Sequence, residues 1–148
     1  MKKILIALVA AAGLIACKSS DKKTTGPTLS QEERNKAIAD TANFTSIQWL
    51  DSTYKDLGKI KGGQVIEVTF RFKNNGTKNL IFSNVSASCG CTVPEKPNKP
   101  YAPGEEGVIK AKFDSKGKPH GTIMKEIFAM ANTNPSQHTL TFGVELTD

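Results

Sequence analysis

Three cysteines carry most of the reactive chemistry in this 148-residue sequence: Cys17, Cys89 and Cys91. Cys89 and Cys91 flank a single glycine, Gly90. Residues two apart on an extended segment project to the same side, and glycine relaxes the backbone limits on a tight ring. Three kinds of chemistry follow. The pair can close a local disulfide that shapes the loop from Cys89 to Pro103, since Cα atoms two apart in an extended chain lie near the upper limit for a bridge. As free thiolates the pair is a chelate for a soft ion, Cu(I) or Zn(II), with His120 and Met124 as further candidate ligands. No second Cys or His pair stands at structural-zinc spacing. Thiol–disulfide exchange is the third reading. The strain of so small a bridge favours it, and the lack of a Cys-x-x-Cys pair opening a helix opposes it. His120 and His138 are expected at the surface near turns. No serine sits in a nucleophile elbow, no acid pair occupies a recognisable motif, and no glycine-rich loop precedes a helix. The expectation is a protein that is not an enzyme and has no resident cofactor.

Cys17 sits in a different context. Lys2 and Lys3 form a short positive head, and Ile4 to Ala16 follows without a charge. A bilayer core needs about 20 apolar residues, so this stretch is too short to span one. A positive head with a short apolar run is the pattern of a secretory signal. It ends Leu14-Ile15-Ala16-Cys17, where small residues admit a peptidase and the thiol accepts a diacylglyceryl thioether. The segment resembles a bacterial lipobox. The expectation is a signal peptide over residues 1–16, lipidation of Cys17 with acyl chains such as palmitate, and membrane attachment through that lipid. Two or more acyl chains hold far better than one. Lys18, not Asp, follows the cysteine, which under the familiar sorting rule points to the outer membrane. Export would place Cys89 and Cys91 in an oxidising compartment, where paired cysteines are usually bridged.

The formal net charge is +6, or +4 once Lys2 and Lys3 are removed. The excess is spread along the chain, with no basic block interleaved with aromatics, which argues against a nucleic-acid partner. Lys18, Lys22 and Lys23 would lie near the lipid, each adding about 1 kcal/mol of attraction to anionic headgroups or merely solvating a linker. Residues 17–44 read as the lipidated cysteine and a flexible tether, because Lys18 to Thr28 is polar, with Gly26-Pro27 and no apolar pattern. Ser30-Gln31-Glu32-Glu33 has the form of a capping box, opening a short helix over about 31–41. Only Ala37 and Ile38 give that helix apolar support, and isolated helices this short are marginal. It is expected to fray and to serve only as a spacer.

From Thr45 onward the pattern changes. Ile47 and Trp49 alternate with polar neighbours, as do Ile66, Val68, Phe70 and Phe72. Leu80 and Phe82 are followed by Val85 and Ala87, a slip at Ser83-Asn84 that predicts a bulge. Ile109, Ala111 and Phe113 alternate, Ile123, Ile127 and Ala129 share a face, and Leu140, Phe142, Val144 and Leu146 alternate towards the end. A period of two means one face buried and one wet. Phe128 and Met130 have the wrong parity for the core. A register shift would bring them inside, which is the favoured expectation, and otherwise they form an exposed apolar patch. Breakers separate the runs at Lys61-Gly62-Gly63, Asn74-Asn75-Gly76, Pro103-Gly104-Glu105 and Lys116-Gly117-Lys118-Pro119. About seven short strands with regular turns predict an all-β antiparallel sandwich over residues 45–148, with a barrel as the structural rival.

Several of these pieces stand in an order that resembles a known family. They are Asp56-Leu57-Gly58-Lys59-Ile60, Phe70-Arg71-Phe72-Lys73-Asn74-Asn75-Gly76, Ser88-Cys89-Gly90-Cys91-Thr92 followed by Pro94, Pro103-Gly104, Lys125 and Asn132. Residues from about Ile47 to Leu146 are similar to a domain-of-unknown-function family of bacterial secreted proteins and lipoproteins. The resemblance implies an immunoglobulin-like sandwich akin to the ASPM, SPD-2 and Hydin modules, and it implies no activity. His120 departs from the pattern, standing where a small residue would follow the Gly-Lys-Pro turn. The functional expectation is a membrane-anchored binding or scaffolding module of the cell envelope with a protein or glycan partner. The alternative is a metal-handling or thiol-redox protein built on Cys89 and Cys91.

Overall fold

Alternating apolar residues organise two four-stranded sheets in the computed structural model, which describes residues 28–148. The expected signal peptide, Cys17 and residues 18–27 of the expected tether lie outside the described residues. The chain forms a helix, α1 (Gln31–Ala39), a 3-10 turn at Thr41–Asn43, and strands β1 (Ile47–Trp49), β2 (Tyr54–Lys61), β3 (Val65–Asn74), β4 (Phe82–Ala87), β5 (Thr92–Glu95), β6 (Glu106–Asp114), β7 (Gly121–Ala131) and β8 (Gln137–Thr147). One sheet has the order β1-β3-β6-β5 and the other β2-β8-β7-β4. All pairings are antiparallel except β2 with β8, where an early strand lies parallel to the last.

The two inner faces meet in one core. Phe70, Phe72, Phe82, Phe113, Phe142, Leu80, Ile109, Ile127 and Leu140 are fully buried in it. Phe72 meets the edges of Phe82 and Tyr101, with ring centroids 5.0 and 4.9 Å away, within the range where edge-to-face pairs are favourable. Gly107 makes this cluster possible. A Cβ there would collide with the Tyr101 and Phe72 rings.

The bulge falls where the apolar period slips. Phe82 pairs with Ala131 and Asn84 with Met130, leaving Ser83 as the extra residue. The register of β7 on β8 is continuous from Gly121 to Met130. Phe128 and Met130 therefore stay on the outer face, half-buried, while Ile127, Ala129 and Ala131 point inward. This corrects the expectation that a shift would carry them into the core, because the shift belongs to β4 alone. The sandwich has eight strands, one more than the sequence pattern suggests. The strands hard to see are β2 and β5. In β2, Leu57 and Ile60 both pack on the core although they are three apart, because a register shift lies between Asp56 and Lys59. β5 is four residues long, with exposed Val93 beside Pro94.

The helix is also firmer than its composition implies. Its capping box is formed in both directions between Ser30 and Glu33. Arg34, only 2 % exposed, is held inside the fold. Its guanidinium donates to the carbonyls of Leu29, Phe82, Pro97 and Asn98 at 3.2, 2.8, 3.0 and 2.5 Å. Gln31 donates to the Ser83 carbonyl at 3.0 Å. These two side chains occupy backbone acceptors on the open edge of β4, an edge that would otherwise invite another strand. The expected frayed spacer is thus a docked helix, because tertiary hydrogen bonds supply what nine residues cannot supply alone.

Candidate functional site

The chain crosses from one sheet to the other between β4 and β5, at residues 88–91, and there Cys89 and Cys91 form a disulfide with Cα atoms 5.4 Å apart. Both cysteines are half-buried and Gly90 is exposed. Cys91 packs against the core. The turn is also closed by its backbone. Thr92 N–H donates to the Cys89 carbonyl at 3.3 Å, Asp114 N–H to the Cys91 carbonyl at 2.9 Å and Ser88 N–H to the Glu126 carbonyl at 3.0 Å. The side chain of Thr92 is buried, and its hydroxyl lies 3.8 Å from Cys89 Sγ. A loop this short gains little from a cross-link: chain-entropy arguments give about 1.5 kcal/mol, against about 3 kcal/mol for a loop of roughly 15 residues.

The other sequence candidates do not gather around the pair. His120 lies between β6 and β7, largely exposed, with Nδ1 3.0 Å from an Asp148 carboxylate oxygen. Met124 is on the outer face of β7, 59 % exposed. Among the described residues no group of three or more His, Cys, Asp or Glu side chains is placed to hold a metal ion. The cysteine sulfurs bond to each other, so a soft-metal chelate would require reduction first. His138 is not the surface histidine expected from its turn-rich surroundings. It is half-buried, with its ring 5.8 Å from that of Trp49 and Nε2 2.8 Å from the Thr133 hydroxyl. Burial lowers its pKa below the ordinary histidine value. Trp49 Nε1 is the one fully covered side-chain nitrogen or oxygen without a hydrogen-bond partner among the described residues.

Several polar residues that sequence reasoning passed over prove to be structural. Asp51, between β1 and β2, accepts from Arg71 Nε, Nη2 and backbone N–H at 3.0, 2.8 and 3.0 Å, and from Lys55 at 3.0 Å. The Arg71 side chain, then its backbone N–H, then Lys55 hold the Asp51 carboxyl far below the usual carboxylate range. Lys55 also donates to the Thr69 carbonyl at 2.6 Å, so a strand of one sheet is tied to a strand of the other. Asn74 and Asn132 are buried at the end of the sandwich near α1. Asn132 Oδ1 accepts from Ile81 N–H at 2.7 Å, and its Nδ2 donates to the carbonyls of Asn43 and Asn79 at 2.7 and 2.9 Å. Asn74 donates to the carbonyls of Lys78 and Tyr101 and accepts from the Thr45 hydroxyl. The only advance signal for either was its place in the family-like segments.

Two facing four-stranded sheets with a filled core, in which the early strand β2 lies parallel to the last, define an immunoglobulin-like β-sandwich. Residues 47–146 match the family described as protein of unknown function DUF1573, and the chain belongs to that family. A protein of unknown function from Porphyromonas gingivalis W83 is similar in structure, with a TM-score of 0.59 at 17 % identity, over 72 % of this chain and 49 % of that one. The chain thus spans about half the length of that relative. The ASH/PapD-like domain 7 of human CEP192 is similar with a TM-score of 0.56 at 10 % identity, over 96 % of this chain and 99 % of that one. The secreted serine protease VesC of Vibrio cholerae is similar with a TM-score of 0.51 at 12 % identity, over 75 % of this chain and 25 % of that one. At such identities the likeness is one of fold. No curated protein matches the chain.

Proposed function

We propose that this protein is a lipoprotein of the bacterial envelope, held to the outer membrane by lipid on Cys17, whose immunoglobulin-like module binds a protein partner and catalyses no reaction. The observation that carries the reading is the polarity of the domain. The tether would enter at α1, which docks on the Phe82 end of β4 and on Pro97 and Asn98. The six residues of β4, roughly 17 Å of strand, separate that end from the disulfide turn. Residues 62–64, 88–91 and 115–120 gather at the far end, where Ser115 N–H donates to the Gln64 carbonyl and Asp114 N–H to the Cys91 carbonyl, so a domain anchored through α1 would turn these loops away from the lipid. None of them contains Phe, Tyr or Trp to stack on a sugar ring, which favours a protein over a glycan. The strongest pKa displacement, that of Asp51, belongs to an ion-pair cluster joining strands and not to a cleft. The lipobox-like Leu14-Ile15-Ala16-Cys17 supplies the anchor.

Site-specific photo-crosslinking in the host tests this. A crosslinker at position 64 or 116, both exposed in these loops, should give a discrete adduct with an envelope protein, and one at position 32 on α1 should not. Adducts of equal yield from all three positions, or from position 32 alone, would contradict the reading.

A further inference from the structure

We propose that the Cys89–Cys91 bridge is a redox-active disulfide that accepts two electrons from a protein dithiol. Two observations carry this. First, the bridge is a poor staple. It spans one residue, and the turn around it is independently held by the hydrogen bonds of Thr92, Asp114 and Ser88 N–H. Chain-entropy stabilisation is smallest for the shortest loops, so reduction should leave the sandwich folded. Second, Thr92 is buried, only 3 % of the residue being exposed, and Cys89 Sγ is the hydrogen-bond partner of its hydroxyl, 3.8 Å away. A disulfide sulfur is a weak acceptor, whereas a thiolate is a strong one. The buried hydroxyl is therefore better satisfied when Cys89 is reduced, which biases the pair towards accepting electrons.

A partner thiolate attacks Cys91 Sγ, the S–S bond breaks, and Cys89 leaves as a thiolate that accepts from the Thr92 hydroxyl. The partner's second thiol, deprotonated, attacks the partner sulfur of the mixed disulfide and releases Cys91 as a thiolate. Cys91 takes up one of the two protons lost by the dithiol and the other passes to solvent, so that Cys89 remains the thiolate held by the Thr92 hydroxyl. The partner is oxidised to its disulfide and this protein is reduced by two electrons. Reactivity depends on the leaving thiol, and the more stable thiolate leaves faster.

The test uses the full chain carrying Cys17→Ser, so that only the pair titrates and the outcome is independent of lipid anchoring. Equilibrated in glutathione buffers and trapped by alkylation, the pair should be mostly reduced at millimolar reduced glutathione, with the β-sheet circular dichroism unchanged. Thr92→Val should shift the midpoint about tenfold towards more reducing buffer, the loss expected for one hydrogen bond to a charged acceptor. Thr92→Ser, which keeps the hydroxyl, should restore it. In single-cysteine variants, Cys89 in Cys91→Ser should be alkylated at lower pH than Cys91 in Cys89→Ser. A pair that stays oxidised in these buffers, a domain that unfolds on reduction, or the reverse order of alkylation would overturn the proposal.

Discussion

Replacing Arg34 by alanine should release α1 from the sandwich while leaving the sandwich intact. Arg34 makes four hydrogen bonds to carbonyls contributed by three separate stretches of chain. A hydrogen bond to a charged group contributes about 1.5–3 kcal/mol, and such bonds do not simply add. The loss is also capped, because a helix of nine residues that loses its dock unwinds and lets water reach the vacated carbonyls. The balance is about 2–4 kcal/mol of local protection, a fall of roughly 30- to 1000-fold in the hydrogen-exchange protection of the α1 amides. Exchange followed by NMR or mass spectrometry at neutral pH reads this directly. Amides of β7 and β8, which share the longest continuous register, should keep their protection. Arg34→Lys should rescue only part of the effect, since one ammonium cannot reproduce a planar fork across four acceptors. Unchanged protection in α1, or a loss spread evenly into β7 and β8, would refute the reasoning.

The Asp51 carboxyl titrates lower in the fold than in the unfolded chain, where its value is about 4. Its contribution is therefore complete above about pH 4 and is lost as the pH falls further; Asp51→Asn should flatten the acid limb of a melting-temperature profile between about pH 6 and 2. His138 is held neutral by burial, so stability should be complete above about pH 6.5 and decline below it. Emission from Trp49, the single tryptophan and a neighbour of His138, should change over the same interval and stay flat in His138→Gln. Asn132→Ala strands the Ile81 N–H and two carbonyls in a buried site, and urea unfolding should show a loss of about 3 kcal/mol.

The long strands were legible because they are half-buried and obey a period of two. The slip at Ser83-Asn84 even located the bulge, since one extra residue in β4 is what returns Val85 to the core. β2 was not legible, because its core contacts straddle a register shift that breaks the period. α1 was misread for a different reason. Its anchor is a buried arginine, three of whose four partners lie 48 to 64 residues away, and no local pattern encodes them. Asn74 and Asn132 look like ordinary turn residues until the distant carbonyls they satisfy are seen. The cysteine spacing announced a bridge among its alternatives, but the Thr92 hydroxyl beside it appears only when the turn is folded.

Intact-mass measurement of the protein purified from its native host, with detergent phase partitioning, tests the anchored-module account most directly. The account expects a chain beginning at Cys17, heavier than the bare polypeptide by a diacylglyceryl group with or without a further acyl chain, and found in the detergent phase. A chain that retains Met1 to Ala16, or an unmodified Cys17 in the aqueous phase, would contradict it.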